Sequence, residues 1–322
     1  MSSSPPPTSP LKTLLKTFSV LNSTNNDLMG CQKGMSLLGY TAKLVATFLD
    51  FYAVPTATTH SIVKGLSDLY GQTLASRYCI RLVNGPFSTF DAIKNDSWSY
   101  GPLPASGLEE EALGEYPYTR DSHPYVRSLE KVMPWTMAVY YPAEYVAYAG
   151  WFMPGLLHNG SSSPTPGEAT PWIRNEKNWF SADHWSALSC IAWMCYVVSD
   201  IVVQAERVHR ITAILKKLKE NKEKGEGEGE GEGEGEGEDK GEDKEKEAND
   251  VVQELESNLH STKLILLREC LFLLPAFAWS FPDFGTNPKI SNNTINVLTW
   301  IENVVDYFGK CEARGLLGGA AK

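Results

Sequence analysis

Histidines, cysteines and adjacent acid–imidazole pairs are where a chain of 322 residues would carry catalysis or a metal. The histidines are His60, His123, His158, His184, His209 and His260. A zinc or di-iron site needs several of them at short helical or loop spacing, and no HxxxH, HxxH or HExxH occurs. The cysteines Cys31, Cys79, Cys190, Cys195, Cys270 and Cys311 form no CxxC pair. That excludes a zinc ribbon or a thioredoxin-like motif and gives no disulfide framework. GxGxxG, GxxxxGK(S/T) and GxSxG are absent, so no phosphate loop or nucleophile elbow is predicted. Asp183 and His184 put a carboxylate beside an imidazole. They read better as a helix start capped by Ser181 or Asp183 than as a catalytic pair. The expectation is a protein that is not an enzyme, with no cofactor and no metal.

Asp183 and His184 border the most apolar stretch of the chain, Trp185 to Val203, WSALSCIAWMCYVVSDIVV. Its one charge is Asp200, near its end. Its length just reaches the ~20 residues a helix needs to cross ~30 Å of hydrocarbon. Trp185 stands at the edge where an interfacial anchor belongs, with Trp193 and Tyr196 further in. Two readings fit: a transmembrane helix over 185–203, or a buried helix of a large soluble α-domain. Past Val203 the helix continues over 204–222 into Arg207, Arg210, Lys216, Lys217 and Lys219. That basic side is expected to be cytosolic.

The other elements surround this run. Residues 1–10, MSSSPPPTSP, read as a disordered leader without the basic and apolar regions of a secretory signal. The sequons at Asn22, Asn95, Asn159 and Asn292 are then chance matches. Region 11–94 is helical: Leu11 to Leu21, Met35 to Tyr52, and His60 to Asn84 stopped by Gly85-Pro86. In Met35 to Tyr52, the residues Leu37, Leu38, Thr41, Leu44, Val45, Phe48, Leu49 and Tyr52 form one stripe. Such a stripe fits either a core-facing helix or one lying in the plane of a membrane. Arg77 and Arg81, four apart, share a face suited to lipid phosphates or to a salt-bridged surface.

A loop over 95–126 precedes an aromatic-rich helix over 127–158, with Pro142 at a kink or in a first turn. A second loop covers 159–184. The Gly-Glu tract within 223–249 repels itself and is expected to be a disordered acidic linker. It carries much of the net charge of −10; the remainder is near neutral, so no nucleic-acid partner is expected. An apolar helix over 250–281 contains Arg268, Glu269 and Pro275, which favours an interfacial or protein-packed helix over a clean span. The segment 289–312 closes the chain as an amphipathic helix or second membrane segment. No stretch repeats a period of two, so the fold class is all-α: a membrane-associated helical protein with amphipathic N-terminal helices, one main transmembrane helix and a long disordered loop.

Four stretches in this order resemble the peroxin-11 family of peroxisomal membrane proteins, the gamma (fungal C-type) branch most closely. CQKGMSLLGYTAKLVATFLDF is similar to the family's N-terminal amphipathic helix, with Lys33 kept from its Gly-Arg-Asp-Lys opening and Tyr40 matching its Tyr. ASRYCIRLVNGPFSTFDAI resembles the next signature through Ser76, Arg77, Arg81 and Leu82. YYPAEYVAYAG matches through Tyr141, Glu144 and Ala147, and SADHWSALSCIAWMCYVVSDIV resembles the Trp-bearing span. The Gly-Glu tract has no family counterpart.

The resemblance implies a non-enzymatic protein of the peroxisomal membrane that promotes elongation, proliferation and fission of the organelle. Leu37, Leu38, Leu44, Val45, Phe48 and Leu49 would be a wedge in one leaflet. Lys33, Lys43, Arg77 and Arg81 would contact anionic lipid headgroups, and Trp185, Trp193 and Tyr196 would anchor the span. Implied partners are membrane lipids, other copies of the chain, and dynamin-type fission machinery with its adaptors. The alternative is an oligomeric pore for small metabolites, for which Asp200 is the one intramembrane charge available.

Overall fold

A computed structural model describes residues 28–94, 124–152, 181–227 and 238–313. The expected leader, the Leu11–Leu21 helix, most of both loops and the centre of the Gly-Glu tract lie outside the described residues. Among the described residues there are six α-helices and no strand. They are α1 Leu28–Tyr52, α2 Ala57–Lys94, α3 Pro124–Phe152, α4 Ala182–Gly227, α5 Glu238–Trp279 and α6 Asn292–Ala313. The fold is all-helical, as the periodicity predicts. The acidic tract is entered by helix from both sides, α4 ending at Gly227 and α5 starting at Glu238. Glu and Lys are good helix formers, which favours extension of both helices into the tract.

The chain divides into two compact units. The first comprises 1–87, 141–191 and 271–322, and the second 88–140 and 192–270. In the first unit α1 and α6 lie antiparallel. Lys33 meets Glu302 and Asp306, Leu37 packs on Tyr307 and Cys311, and the Trp300 indole donates to Thr41 Oγ1 at 2.9 Å. α1 also approaches α2 closely at Gly39, where any Cβ would collide with the Thr73 hydroxyl. The Tyr40 and Tyr70 rings meet edge-to-face beside that notch, 5.4 Å apart. Caps set the helix starts. Thr56 Oγ1 accepts from the Thr59 N–H at 3.1 Å before α2, and Ser181 Oγ accepts from the His184 N–H at 3.3 Å before α4.

Gly85-Pro86 does not stop the second long helix. α2 runs through both residues to Lys94. Proline removes the N–H that would bond the carbonyl four residues back, here that of Leu82. The Tyr145 hydroxyl of α3 replaces that donor, bonding Leu82 O at 3.0 Å and Arg81 O at 3.3 Å. Burial pushes the Tyr145 phenol up to about 12, with Tyr141 and Glu144 adding to the shift, so it remains a donor at neutral pH. Gly85 completes the joint, because a side chain there would overlap the Tyr141 ring one turn from Tyr145. The dipeptide read as punctuation is a docking notch for α3. Likewise α3 is helical through Pro142.

Tyr145→Phe should therefore destabilise the protein by about 1 kcal/mol, the usual net worth of one such hydrogen bond. In a Pro86→Ala background, where the helix regains its own donor, the same change should cost less than half as much. Chemical denaturation of the four proteins of this cycle measures the coupling, and equal costs in both backgrounds would refute the proposed role of Tyr145.

Candidate membrane interface

α4 carries the expected span. Ala182–Glu220 is the one stretch among the described residues long and apolar enough to cross a membrane. Only 44% of its most apolar window is buried within the protein. A core helix of a water-soluble domain would be mostly covered, so the sides of this helix decide what surrounds it. Along 189–204 the buried side is small or polar: Ser189, Ala192, Ser199, Asp200 and Gln204, with Tyr196, Val197 and Val203 among them. The uncovered side holds Cys195, Val198 and Val202. Small residues let helix backbones approach in lipid, and polar residues there turn toward protein. This arrangement suits hydrocarbon and is the reverse of what water selects.

The second unit contains the switch between the two regimes. Asp200 is fully enclosed, accepts from Gln204 Nε2 at 2.8 Å and receives the Tyr196 hydroxyl at 3.5 Å. About three to four turns on, the buried side becomes apolar: Ile211, Ile214 and Leu215 pack on Leu255 of α5. The outer side becomes charged there, with Lys216 and Lys219 largely exposed and Lys219 paired to Glu256 at 2.8 Å. α5 changes too, from buried Leu255 to buried Thr262 and Glu269 with Leu267 exposed. The side-chain polarity of both helices thus inverts, between about Gln204 and Ile211 on α4. The Arg210–Glu206 pair, 2.8 Å, lies at that level.

The first unit shows the same inverted polarity. α1 covers Gln32, Ser36, Gly39, Ala42 and Ala46 and leaves Leu38, Val45, Phe48 and Phe51 uncovered, Phe48 at 61% and Phe51 at 80%. Of the six expected wedge residues, Leu38, Val45 and Phe48 are exposed, Leu44 and Leu49 are half-buried, and Leu37 packs on α6. α6 buries Thr299, Glu302, Asn303 and Asp306 beside Ile295, Tyr307 and Cys311, and exposes Val297 and Phe308.

Three of the four expected headgroup cations are committed to the interior instead. Lys33 Nζ lies 2.8 Å from Glu302 Oε1 and 3.3 Å from Asp306 Oδ2, whose carboxylate also takes Lys310 at 2.7 Å. Arg81 Nη1 reaches Glu144 Oε1 at 3.2 Å, the salt-bridged reading of that face. Arg77 is buried beside Tyr78, with its Nε unbonded. The Tyr78 phenol is pushed up to about 12, by burial first, against the opposing pull of Arg81 and Arg77. Placing a cation in a helix bundle requires a counter-charge, and carboxylates on neighbouring helices supply it for Lys33 and Arg81. The fourth, Lys43, sits over the Tyr70 ring at 5.6 Å.

The aromatic anchors turn inward as well. Tyr196 is buried on Asp200, Trp193 packs near Tyr140 at 6.3 Å, and the Trp185 indole N–H is enclosed without a bonding partner. The outer side of the run is aliphatic. Asp200, the residue offered for a pore, is enclosed and bonded. Asp183 does not orient His184: its Oδ1 accepts from the Trp151 indole at 3.2 Å, while His184 Nδ1 is hydrogen-bonded to the capping Ser181 hydroxyl at 2.5 Å. Among the described residues no group of three His, Cys, Asp or Glu is placed to hold a metal.

Comparison with protein-family models, with curated proteins and with solved structures finds no match.

Lys33→Met should lower stability by about 3–5 kcal/mol, because it strands buried Glu302 and leaves Asp306 with Lys310 alone. Adding Glu302→Gln and Asp306→Asn should recover most of that loss. Thermal unfolding of the full chain in detergent measures both, and no recovery in the triple variant would mean the loss came from something other than stranded charge.

Proposed function

We propose that this protein is a helical membrane protein that bends the membrane it occupies, and that this membrane is the peroxisomal one. The observation that supports the membrane reading is the polarity of α1, α4 and α6, with Gln32 and Ser36 of α1 and carboxylates of α4 and α6 inside and Leu, Val and Phe outside. The resemblance to the peroxin-11 family supports the organelle and the shaping activity. In this reading α4 anchors the chain, and α1 enters one leaflet with Leu38, Val45, Phe48 and Phe51. A helix inserted in one leaflet expands that leaflet relative to the other, and self-association concentrates the strain into a tubule. The dynamin-type fission machinery would act on the tubule so formed.

The interior commitment of Lys33, Arg77 and Arg81 leaves apolar area as the main source of membrane affinity. Each large side chain moved from water into hydrocarbon contributes about 1.5–3 kcal/mol.

The full chain reconstituted into vesicles should resist carbonate extraction and draw out tubules seen by electron microscopy. Leu38→Glu with Phe48→Glu should remain integrated yet lose tubulation. Cys195→Lys with Val198→Lys should lose integration, since each lysine near a helix centre costs about 2.5–3.5 kcal/mol. Tubules drawn equally well by the Leu38/Phe48 variant would remove α1 as the wedge. Extraction of the unaltered chain by carbonate would remove the membrane reading altogether.

A further inference from the structure

In the first unit, a cavity of about 520 Å³ opens where the C-terminal half of α1 faces the start of α6. Its lining is divided by charge. Lys43 stands toward one end of the α1 side and Asp50 toward the other, with Thr47 between them on the same helical face. Seven residues of helix separate the two charges, about 10.5 Å along the axis. α6 contributes Asn292, Asn293 and Asn296. On antiparallel α6, Asn296 lies toward Lys43 and Asn292 and Asn293 lie toward Asp50, and an amide side chain can donate at one end and accept at the other. The remaining wall is aromatic: Phe51, Trp279 and Phe284, with the Tyr70 ring beneath the Lys43 ammonium.

We propose that this cavity binds the zwitterionic headgroup of a phospholipid, a phosphodiester joined through two carbons to an ammonium. The phosphate takes Lys43 and the Asn296 amide. The ammonium takes Asp50 and the faces of Phe51, Trp279 and Phe284, the arrangement by which proteins hold quaternary ammonium groups. A wholly anionic ligand is opposed by Asp50 and a simple cation by Lys43. A dipole fits both when it lies along α1, once each charge's contact distance is added to the two-carbon bridge. The volume falls within the ~300–1,000 Å³ of small-molecule sites. The ligand is a lipid and not a free headgroup because the neighbouring surface is apolar. Phe51, Tyr52 and Val54 are each at least 70% exposed, so acyl chains have a path along it. The choice of a lipid rests on the membrane reading above; the charge pattern of the cavity does not.

The test uses the full chain in non-ionic detergent, titrated with dihexanoyl phosphatidylcholine, dihexanoyl phosphatidylserine and free phosphocholine. The fluorescence difference between the unaltered chain and Trp279→Phe isolates the reporter while keeping an aromatic ring. Phosphatidylcholine should give a saturable one-site change, at least tenfold tighter than phosphatidylserine or free phosphocholine. Lys43→Met should weaken it at least tenfold. Asp50→Asn should weaken it similarly and bring phosphatidylserine binding up toward it, a gain that misfolding cannot produce. Equal binding of free phosphocholine would overturn the lipid assignment. Equal binding of phosphatidylserine, or variants within twofold of the parent, would overturn the headgroup site. A saturable site in a chain that draws no tubules would sink the shaping activity and leave this proposal standing.

Discussion

Lys33 constrains the first unit more than any other residue. An ammonium drawn out of water among helices has to find a counter-charge nearby, or the helix carrying it cannot pack. The partners are Glu302 and Asp306, on the last helix of the described chain and 269 residues away in the case of Glu302. This pairing closes α1 onto α6. The Gly39 notch against Thr73 and the Tyr40–Tyr70 contact close it onto α2. With two sides occupied, α1 keeps a single free face, and that face carries Leu38, Val45 and Phe48. The exposure of these three residues follows from where the charge had to go.

α4 is a gauge of its surroundings in the same way. A helix in water hides its apolar side; a helix in hydrocarbon has no such incentive and hides its polar side. α4 does the second around Asp200 and the first around Ile211, within one unbroken helix. A single environment would not select both. α5 also changes, between Leu255 and Glu269, so the change is not confined to one helix. Lys216, Lys219 and the Glu256 pairing belong to the part of α4 and α5 whose outer side is charged.

Much of this fold was legible in the sequence because helices announce themselves locally. The stripe of α1, the uncharged run of α4 and the absence of alternation led to an all-helical chain with one main span. What was not legible depends on contacts between distant segments. Gly85-Pro86 signals a stop in isolation, and only Tyr141 and Tyr145 on another helix turn it into a joint. Lys33 and Arg81 look like surface cations until Glu302 and Glu144 arrive from far along the chain. Trp185, Trp193 and Tyr196 have the composition of interfacial anchors, yet composition does not say which way a ring faces. One signal was available: Glu302, Asn303 and Asp306 share a helix face in an otherwise apolar segment, which asks for a buried cation.

These constraints bear on how a wedge would do work. A free amphipathic helix dissolved in a leaflet can roll, sink or leave as the bilayer curves, and stores little strain. α1 is held at three places, by Lys33, by Gly39 and by the Trp300 indole on Thr41. Its depth and its roll angle are therefore set by the bundle, which α4 in turn holds in the membrane under the proposed function. Strain in the leaflet then has nowhere to relax except into curvature. On this argument the buried charges are what make the apolar face effective. The ion pair keeps Leu38, Val45 and Phe48 pointed outward, on the face that the proposed function sets against the membrane.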